Sequence, residues 1–502
     1  MHSHWIARCL RPIHTRPALE CACLLLLTTA AFLIRFWGLS KMHFWDENVY
    51  LLNAQYIASG TAGYQEIASR PPLLPLLFAC AFRFWPSDYA AEAVAAFLNA
   101  LGPAFLYLAG RKLATRTAAA IAAMLLAFGP FFVGVCRDAS GRLVPNCNGH
   151  SLLTDCPALT LIVLSFWLLV RALEKQTALR FACSGFVLAM AVLMRFGSLF
   201  SVAILSLLVL AANRRVRAVL ACAAGFLLGI GPYLFWSRLR FGGFFETFNL
   251  GWENMGGPAE PFFYYLKFLP AMLSWLATAG LALWSIHTAW KLLRPAKPPD
   301  SRQPAGAPHS RSRLLWQAFL CLWALGAMLF FSSLSHKESR YIVPVAPPLL
   351  LLAGIGLSSL LASPSAAVNR ASAAALACAL MATFWPDRHS FDNGFIDPSV
   401  SGEMSVAQFL KQNLPSSTLL YCNENYPDFA YYSGMTAIPL PEDGDELYQA
   451  LGQIPPGGVL IAYKEVDGGD GSAAEPPIAF LDSDRRFTRL RDFPTTVLYT
   501  RR

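Results

Sequence analysis

Apolar runs of about twenty residues recur along this chain, most of them closed on one side by a short basic cluster, and that recurrence limits the fold more than any motif does. A helix needs roughly 20 apolar residues to cross a bilayer, and only helices or closed barrels satisfy their backbone there. Charged residues are only 14% of the 502 and hydrophobic ones 55%, whereas a soluble chain carries about a quarter charged. The expected fold is therefore a polytopic α-helical membrane protein. A formal net charge of +9 would suit nucleic acid if it formed a patch. Here the arginines and lysines stand between apolar runs, as topology signals do, so no nucleic-acid partner is expected.

The basic clusters set the path of the chain. Arg8, Arg11 and Arg16 precede the first run and hold the N-terminus in the cytoplasm. That run ends in Arg35-Phe36-Trp37 without a small-residue cleavage site, so it reads as a retained signal anchor. Residues 39–87 then form a first outer loop, in which 71–85 is too short and proline-rich to span and is expected along the interface. Crossings follow at about 88–110 and 118–135, then a polar outer loop at 136–150, then a fourth crossing opening on Leu152-Leu153-Thr154-Asp155-Cys156-Pro157. Because Arg180 and Arg214-Arg215 should both be cytoplasmic, 181–212 is expected to make two passes, with Arg195 at the outer end. Further crossings at about 216–236, 266–290, 314–333, 342–361 and 371–385 bring the total to about eleven. The Pro-, Ser- and Arg-rich stretch 291–313 reads as a cytoplasmic linker.

From about Asp387 the composition turns polar, which divides the chain into a membrane domain, 1–386, and a soluble extracytoplasmic α/β domain, 387–502. Strands are expected at 417–422, 459–463 and 495–499, and helical turns at 406–413 and 446–451. The 12 cysteines are scattered, many inside apolar runs, and none has zinc-ligand spacing. Cys136 and Cys147 share one outer loop and are a candidate disulfide pair.

This topology collects Asp46, Glu47, Arg70, Asp155, Arg195, Glu246, Glu253, His336, Lys337, Glu338 and Arg340 on the outer side. Carboxylates at a bilayer boundary are costly unless water, a partner or a task keeps them there. Singly, each has a plainer explanation. Arg195 can snorkel, Asp155 can belong to a helix N-terminus before Pro157, and 336–340 can be a solvated loop.

As an ordered set they resemble the GT-C superfamily of membrane glycosyltransferases. The residues that carry the resemblance are the acidic pair Asp46-Glu47 followed by Tyr50 and Gly60, then Arg70-Pro71-Pro72-Leu73, then Leu153-Thr154-Asp155-Cys156-Pro157 at the mouth of a later helix. More narrowly, the set is similar to bacterial relatives of protein O-mannosyltransferases and of the aminoarabinose transferase that modifies lipid A. His336-Lys337-Glu338-Ser339-Arg340-Tyr341, with Pro344 and Pro347, is similar to a signature of GT-C mannosyltransferases, a sister branch. The resemblance spans about 18–361.

It implies the GT-C fold, a polyprenyl-phosphate sugar donor, and transfer to a hydroxyl of a protein, lipid or glycan acceptor, with a bacterial inner membrane as the setting. It also implies roles. Asp46 would be the general base of an inverting transfer, with Glu47 orienting it or binding acceptor. Arg70 and Arg340 would hold the donor phosphate, and Asp155 would be the second acid. Tyr50, Arg195, His336, Lys337 and Glu338 would bind substrate. Some members use a divalent ion held by acids, here Asp46 and Asp155; no other cofactor is implied. Independently, no cytoplasmic loop is long enough for a nucleotide-binding domain, which fits a lipid-linked donor. Two other classes stay open: a transporter or lipid flippase, for which 181–212 would be the broken helix, and an assembly protein that presents 387–502.

Overall fold

A computed structural model of the chain describes residues 17–36, 43, 45–59, 70–133, 136–137, 143–144, 152–212, 216–253, 259–293, 309–361, 365–384, 402–422, 425–441, 444–464 and 478–502. They divide into two compact units, Met1–Trp37 with Ala68–Leu73 and Glu92–Gly394, and Gly38–Ile67 with Leu74–Ala91 and Phe395–Arg502.

The first unit is helical. Each expected crossing has its helix: Pro17–Phe36, Asp88–Leu113, Arg116–Phe128, Asp155–Lys175, Ala178–Met194, Leu199–Ala212, Val216–Phe241, Tyr264–Leu293, His309–Ser332, Ala346–Ser359 and Ala366–Phe384. Among the described residues, 6 helices are long and apolar enough to cross a membrane, and the chain is an integral membrane protein. Leu159, Ile162, Phe166 and Leu169, spaced three and four apart, bury one stripe of the Asp155–Lys175 helix. Phe166 meets Trp323 edge-on at 5.2 Å and stacks on Phe319 at 5.8 Å. The Pro17–Phe36 helix shows the opposite pattern, with Leu25 and Leu26 exposed, as on a surface turned to lipid. Small residues allow close approach. A Cβ on Gly185 would overlap the Cys222 carbonyl, and one on Gly225 the Ala182 carbonyl, so the Ala178–Met194 and Val216–Phe241 helices touch backbone to backbone.

Breaks in the helices matter most for the chemistry. The 181–212 stretch is two helices, as expected: the first ends at Met194, Arg195 is extended (φ −154, ψ 117), and a short 3-10 turn at Phe196–Ser198 leads into Leu199–Ala212. The crossing expected at 118–135 is shorter. It stops at Phe128, Gly129 closes its last turn by donating to the Leu125 carbonyl, and a separate turn Pro130–Val133 follows. Pro130 has no N–H with which to continue the ladder. The crossing expected at 216–236 runs on to Phe241, and its outer loop contains the helix Glu246–Glu253. Of the expected linker, 294–308 lies outside the described residues, as do Gly60 and Cys147, and with Cys147 the Cys136 pairing.

The second unit holds a mixed sheet in the order Thr436–Pro439, Leu419–Cys422, Val459–Tyr463, Thr496–Arg501, Phe487–Asp492, the first three parallel and the last two antiparallel. Alternation along the strands splits the core. Leu420, Cys422 and Ile461 pack with Val406, Leu410 and Phe429 on one face, while Tyr421, Leu460 and Tyr499 pack with Leu447 and Leu481 on the other. To the first face the helix Trp45–Ser59 adds Trp45 and Leu52. Here the structure corrects the sequence: Asp46 and Glu47 stand not in a loop but in the first turn of a helix, where the helix dipole favours acids.

Candidate active site

In the first unit, three interruptions of helix bring charged side chains together: the start of Asp155–Lys175, the break at Arg195, and the 3-10 segment Ser339–Val345. Asp155, only 2% exposed, has Oδ1 2.8 Å from Arg195 Nη1. The Arg195 guanidinium lies 4.9 Å from the centre of the Tyr341 ring, an attractive position for a cation over a π face. The Tyr341 hydroxyl donates to Glu338 Oε1 at 2.9 Å, and Arg340 grips the same carboxylate through Nη2 at 2.9 Å and Nε at 2.5 Å. His336 Nε2 stands 3.4 Å from Glu338 Oε1. Two ion pairs, Asp155 with Arg195 and Glu338 with Arg340, are thus linked through the Tyr341 ring, and buried Asp155 has the partner that its burial demands.

The other expected residues of this unit take different places. Lys337, 5% exposed, donates its ammonium to the carbonyls of Glu260, at 2.7 Å, and Leu334. With the Glu260 N–H on the Ser335 carbonyl at 3.0 Å, it ties 259–261 to the 333–338 turn. Arg70 is half-buried. Leu73, three residues on, packs with Phe196 on the cluster of Ala189, Val192, Leu193, Ile230 and Tyr233, so one apolar patch anchors the neighbours of both Arg70 and Arg195.

In the second unit, consecutive positions on the Trp45–Ser59 helix send the acidic pair different ways. Glu47 is 5% exposed and Tyr50 is buried, while Asp46 is half-buried. Buried His43 places Nδ1 3.8 Å from Glu47 Oε1 and Nε2 3.9 Å from Asp88 Oδ2. Asn48 Nδ2 donates to Asp428 Oδ1 at 2.6 Å and to the His43 carbonyl at 2.7 Å. The Tyr432 hydroxyl accepts the His43 N–H at 2.6 Å, Tyr431 donates to Asp88, and Trp45 meets Tyr426 edge-on at 5.8 Å. Burial pushes the Asp428 carboxyl up to about 7; Glu403 and Glu47 push the same way, and the Asn48 bond and His43 oppose them. Sequence reasoning missed Asn48, His43, Asp428 and Tyr432, and, in the first unit, Tyr341 as the ring between two guanidiniums. His43, Asn48 and Tyr341 carried a signal, by standing within or beside the motifs already singled out.

Among the described residues no three His, Cys, Asp or Glu side chains are arranged to hold a metal, and Asp155 already faces a guanidinium.

The fold has solved counterparts. ArnT from Cupriavidus metallidurans in the apo state matches with TM-score 0.68 at 15% identity, over 96% of this chain and 98% of that one. The same protein bound to undecaprenyl phosphate gives 0.63 at 15% identity, over 95% and 98%. The apo oligosaccharyltransferase of Archaeoglobus fulgidus gives 0.57 at 12% identity, over 88% and 69%. At the level of sequence, residues 69–236 match the family model described as dolichyl-phosphate-mannose-protein mannosyltransferase. No curated protein sequence matches the chain. Fold and matched segment define the class, a membrane glycosyltransferase with the GT-C fold. The transporter and assembly-protein alternatives fall with that assignment.

Proposed function

We propose that the protein moves a sugar from a polyprenyl-phosphate donor to an acceptor hydroxyl, with inversion at the anomeric carbon, on the extracytoplasmic face of a bacterial inner membrane. The observation that carries this is the network Asp155, Arg195, Tyr341, Glu338 and Arg340. A leaving lipid phosphate needs fixed cations, and two guanidiniums already oriented by carboxylates supply them without reorganisation. The fold neighbour bound to undecaprenyl phosphate and the mannosyltransferase family match support a donor of this chemistry. The placement follows from the basic clusters. Lys112 pairs with Glu174, at the other end of the helix that begins at Asp155, and positive residues favour the cytoplasmic side.

Each cluster has the chemistry for one half of the reaction. Asp46, the more accessible of the acidic pair, takes the proton of the acceptor hydroxyl as that oxygen bonds to the anomeric carbon. The bond from that carbon to the phosphate oxygen breaks, its electron pair stays on the phosphate, and Arg195 and Arg340, with Arg70, take up the charge. Asp155 and Glu338 keep the guanidiniums aimed before donor arrives. His336 and Tyr50 contribute to substrate binding, and Glu47 acts through His43. The test is turnover of radiolabelled polyprenyl-phosphate sugars by purified protein in detergent with an envelope extract as acceptor, wild type beside Asp46→Asn. One consumed donor, with a folded Asp46→Asn slowed about a hundredfold or more, is the expected result; equal turnover by the variant overturns the base assignment.

A further inference from the structure

The sheet of the second unit places its first strand in sequence, Leu419–Cys422, between the second and third, Thr436–Pro439 and Val459–Tyr463, all parallel. In open α/β sheets ligands bind at the carboxyl ends of strands where the order reverses in this way. Here those ends are bridged by Asn425, whose Nδ2 donates to the Tyr463 hydroxyl at 3.0 Å, and the helix Tyr426–Ser433 starts beside them. The position a ligand would take is held by the chain itself. Trp45 packs on Tyr426, Asn48 reaches Asp428, and Tyr432 brackets His43 on both its N–H and its carbonyl. Three residues of this one short helix, Tyr426, Asp428 and Tyr432, fall on the residues flanking Asp46-Glu47.

We infer that the C-terminal domain is a positioning module rather than a receptor for acceptor: Asp428 and Tyr432 act through Asn48 and His43 to hold the acidic pair in its catalytic orientation. The inference rests on Asp46 being the base. Asp428 and Asn48 do not touch substrate; they are positioning residues. Their bond is directional, an amide N–H donated to a carboxyl oxygen, and it is buried at both ends, Asn48 at 0% and Asp428 at 2% exposure. The charged and titratable groups around it are Glu47 and His43 on one side and Glu403, Tyr432, Tyr463 and Cys422 on the other. None of these supplies a second amide to replace Asn48.

The experiment exchanges the two ends of the bond. Asn48→Asp sets two carboxyls against each other; Asn48→Asp with Asp428→Asn restores one amide facing one carboxyl in reverse. Steady-state transfer is measured for both, and for Tyr432→Phe and Asp46→Asn, together with thermal unfolding in detergent. A small misplacement of a base costs about tenfold to a hundredfold in turnover. The expected result is that loss in kcat for Asn48→Asp with donor KM within about twofold of wild type, and recovery to within about threefold in the double variant. Should Asn48→Asp fail to fold, Tyr432→Phe, which removes only a hydroxyl, carries the same kcat loss at unchanged donor KM. Folded single variants with wild-type kcat, or a rise in donor KM alone, overturn the positioning role. If Asp46→Asn is itself fully active, it is the base assignment that has failed. If Asp46→Asn is dead while Asn48→Asp and Tyr432→Phe are normal, only the positioning role has.

Discussion

The two clusters solve the problem of buried charge in opposite ways. In the helical unit, Asp155 and Glu338 each face a guanidinium, and the charges cancel in pairs. In the second unit, Asp428 accepts from the Asn48 amide and Asp88 from the Tyr431 hydroxyl, both neutral groups, while the His43 ring stands 3.8 Å from Glu47 and 3.9 Å from Asp88. A paired cluster keeps its cations at fixed positions. In the acid-rich cluster, burial raises the proton affinity of the Asp428 carboxyl, which suits proton acceptance more than phosphate binding. The contrast between cation-presenting and proton-accepting regions can be tested at each end.

The largest effect is expected where the pairing is tightest. Asp155→Ala leaves half-buried Arg195 without its counter-charge, and breaking a buried pair costs about 3–5 kcal/mol. Unfolding in detergent should show that loss, and transfer should be lost with it. Asp155→Ala as stable as wild type would mean that Arg195 is solvated and that the paired description is wrong. Next comes Arg195→Lys, which keeps the charge but loses the fork and the planar stacking on Tyr341. Donor KM should rise about tenfold, for the roughly 1.4 kcal/mol of one charge-assisted hydrogen bond, with acceptor KM unchanged. An unchanged donor KM would remove Arg195 from the phosphate site.

How much of this was legible depends on distance along the chain. The helices of the first unit were readable because each carries its own apolar run and basic stop, and even the break at Arg195 followed from the parity of crossings between Arg180 and Arg214. That Arg195 pairs with Asp155 was not readable, since the two lie on different helices and either had a plain local explanation. Val459–Tyr463, a central strand, announces itself by an apolar run, whereas of the two edges Thr436–Pro439 is four residues ending in proline and Phe487–Asp492 is mostly polar, so neither carries that signal. The Trp45–Ser59 helix reads as a loop in the sequence because its polar residues Asp46, Glu47, Asn48, Asn53 and Gln55 blur the apolar period; the partner that satisfies the buried Asn48 amide is Asp428, 380 positions away.

A smaller effect distinguishes the acid-rich cluster by its pH dependence. With Asp428 pushed up to about 7 in the native protein, the folded chain holds a proton that the unfolded chain releases near the ordinary carboxylate value. Stability from this group is complete below that ordinary value and is lost as pH rises through about 7. Asp428→Asn keeps an acceptor for Asn48 and has no proton to lose. Its unfolding temperature should therefore gain on wild type between about pH 5 and about pH 8. A difference that is flat with pH, or of opposite sign, would mean that the Asp428 carboxyl is ionised in the native protein, and the contrast between the clusters would narrow to one of geometry.

The smallest effect is expected at Lys337, the one charged residue of the 336–340 stretch that stands apart from the carboxylate network. Its ammonium lies on the carbonyls of Glu260 and Leu334, so it closes a turn instead of presenting a cation. Lys337→Met keeps the apolar stem and removes those bonds, at a cost of about 1–3 kcal/mol for carbonyls left unsatisfied. Thermal unfolding should shift down accordingly, while donor KM stays within about twofold and kcat falls little. The opposite outcome, normal stability with a raised donor KM, would place Lys337 with Arg195 and Arg340 among the phosphate ligands. The 333–338 turn would then have to rearrange when donor binds, since a lysine spent on two carbonyls cannot hold a phosphate at the same time.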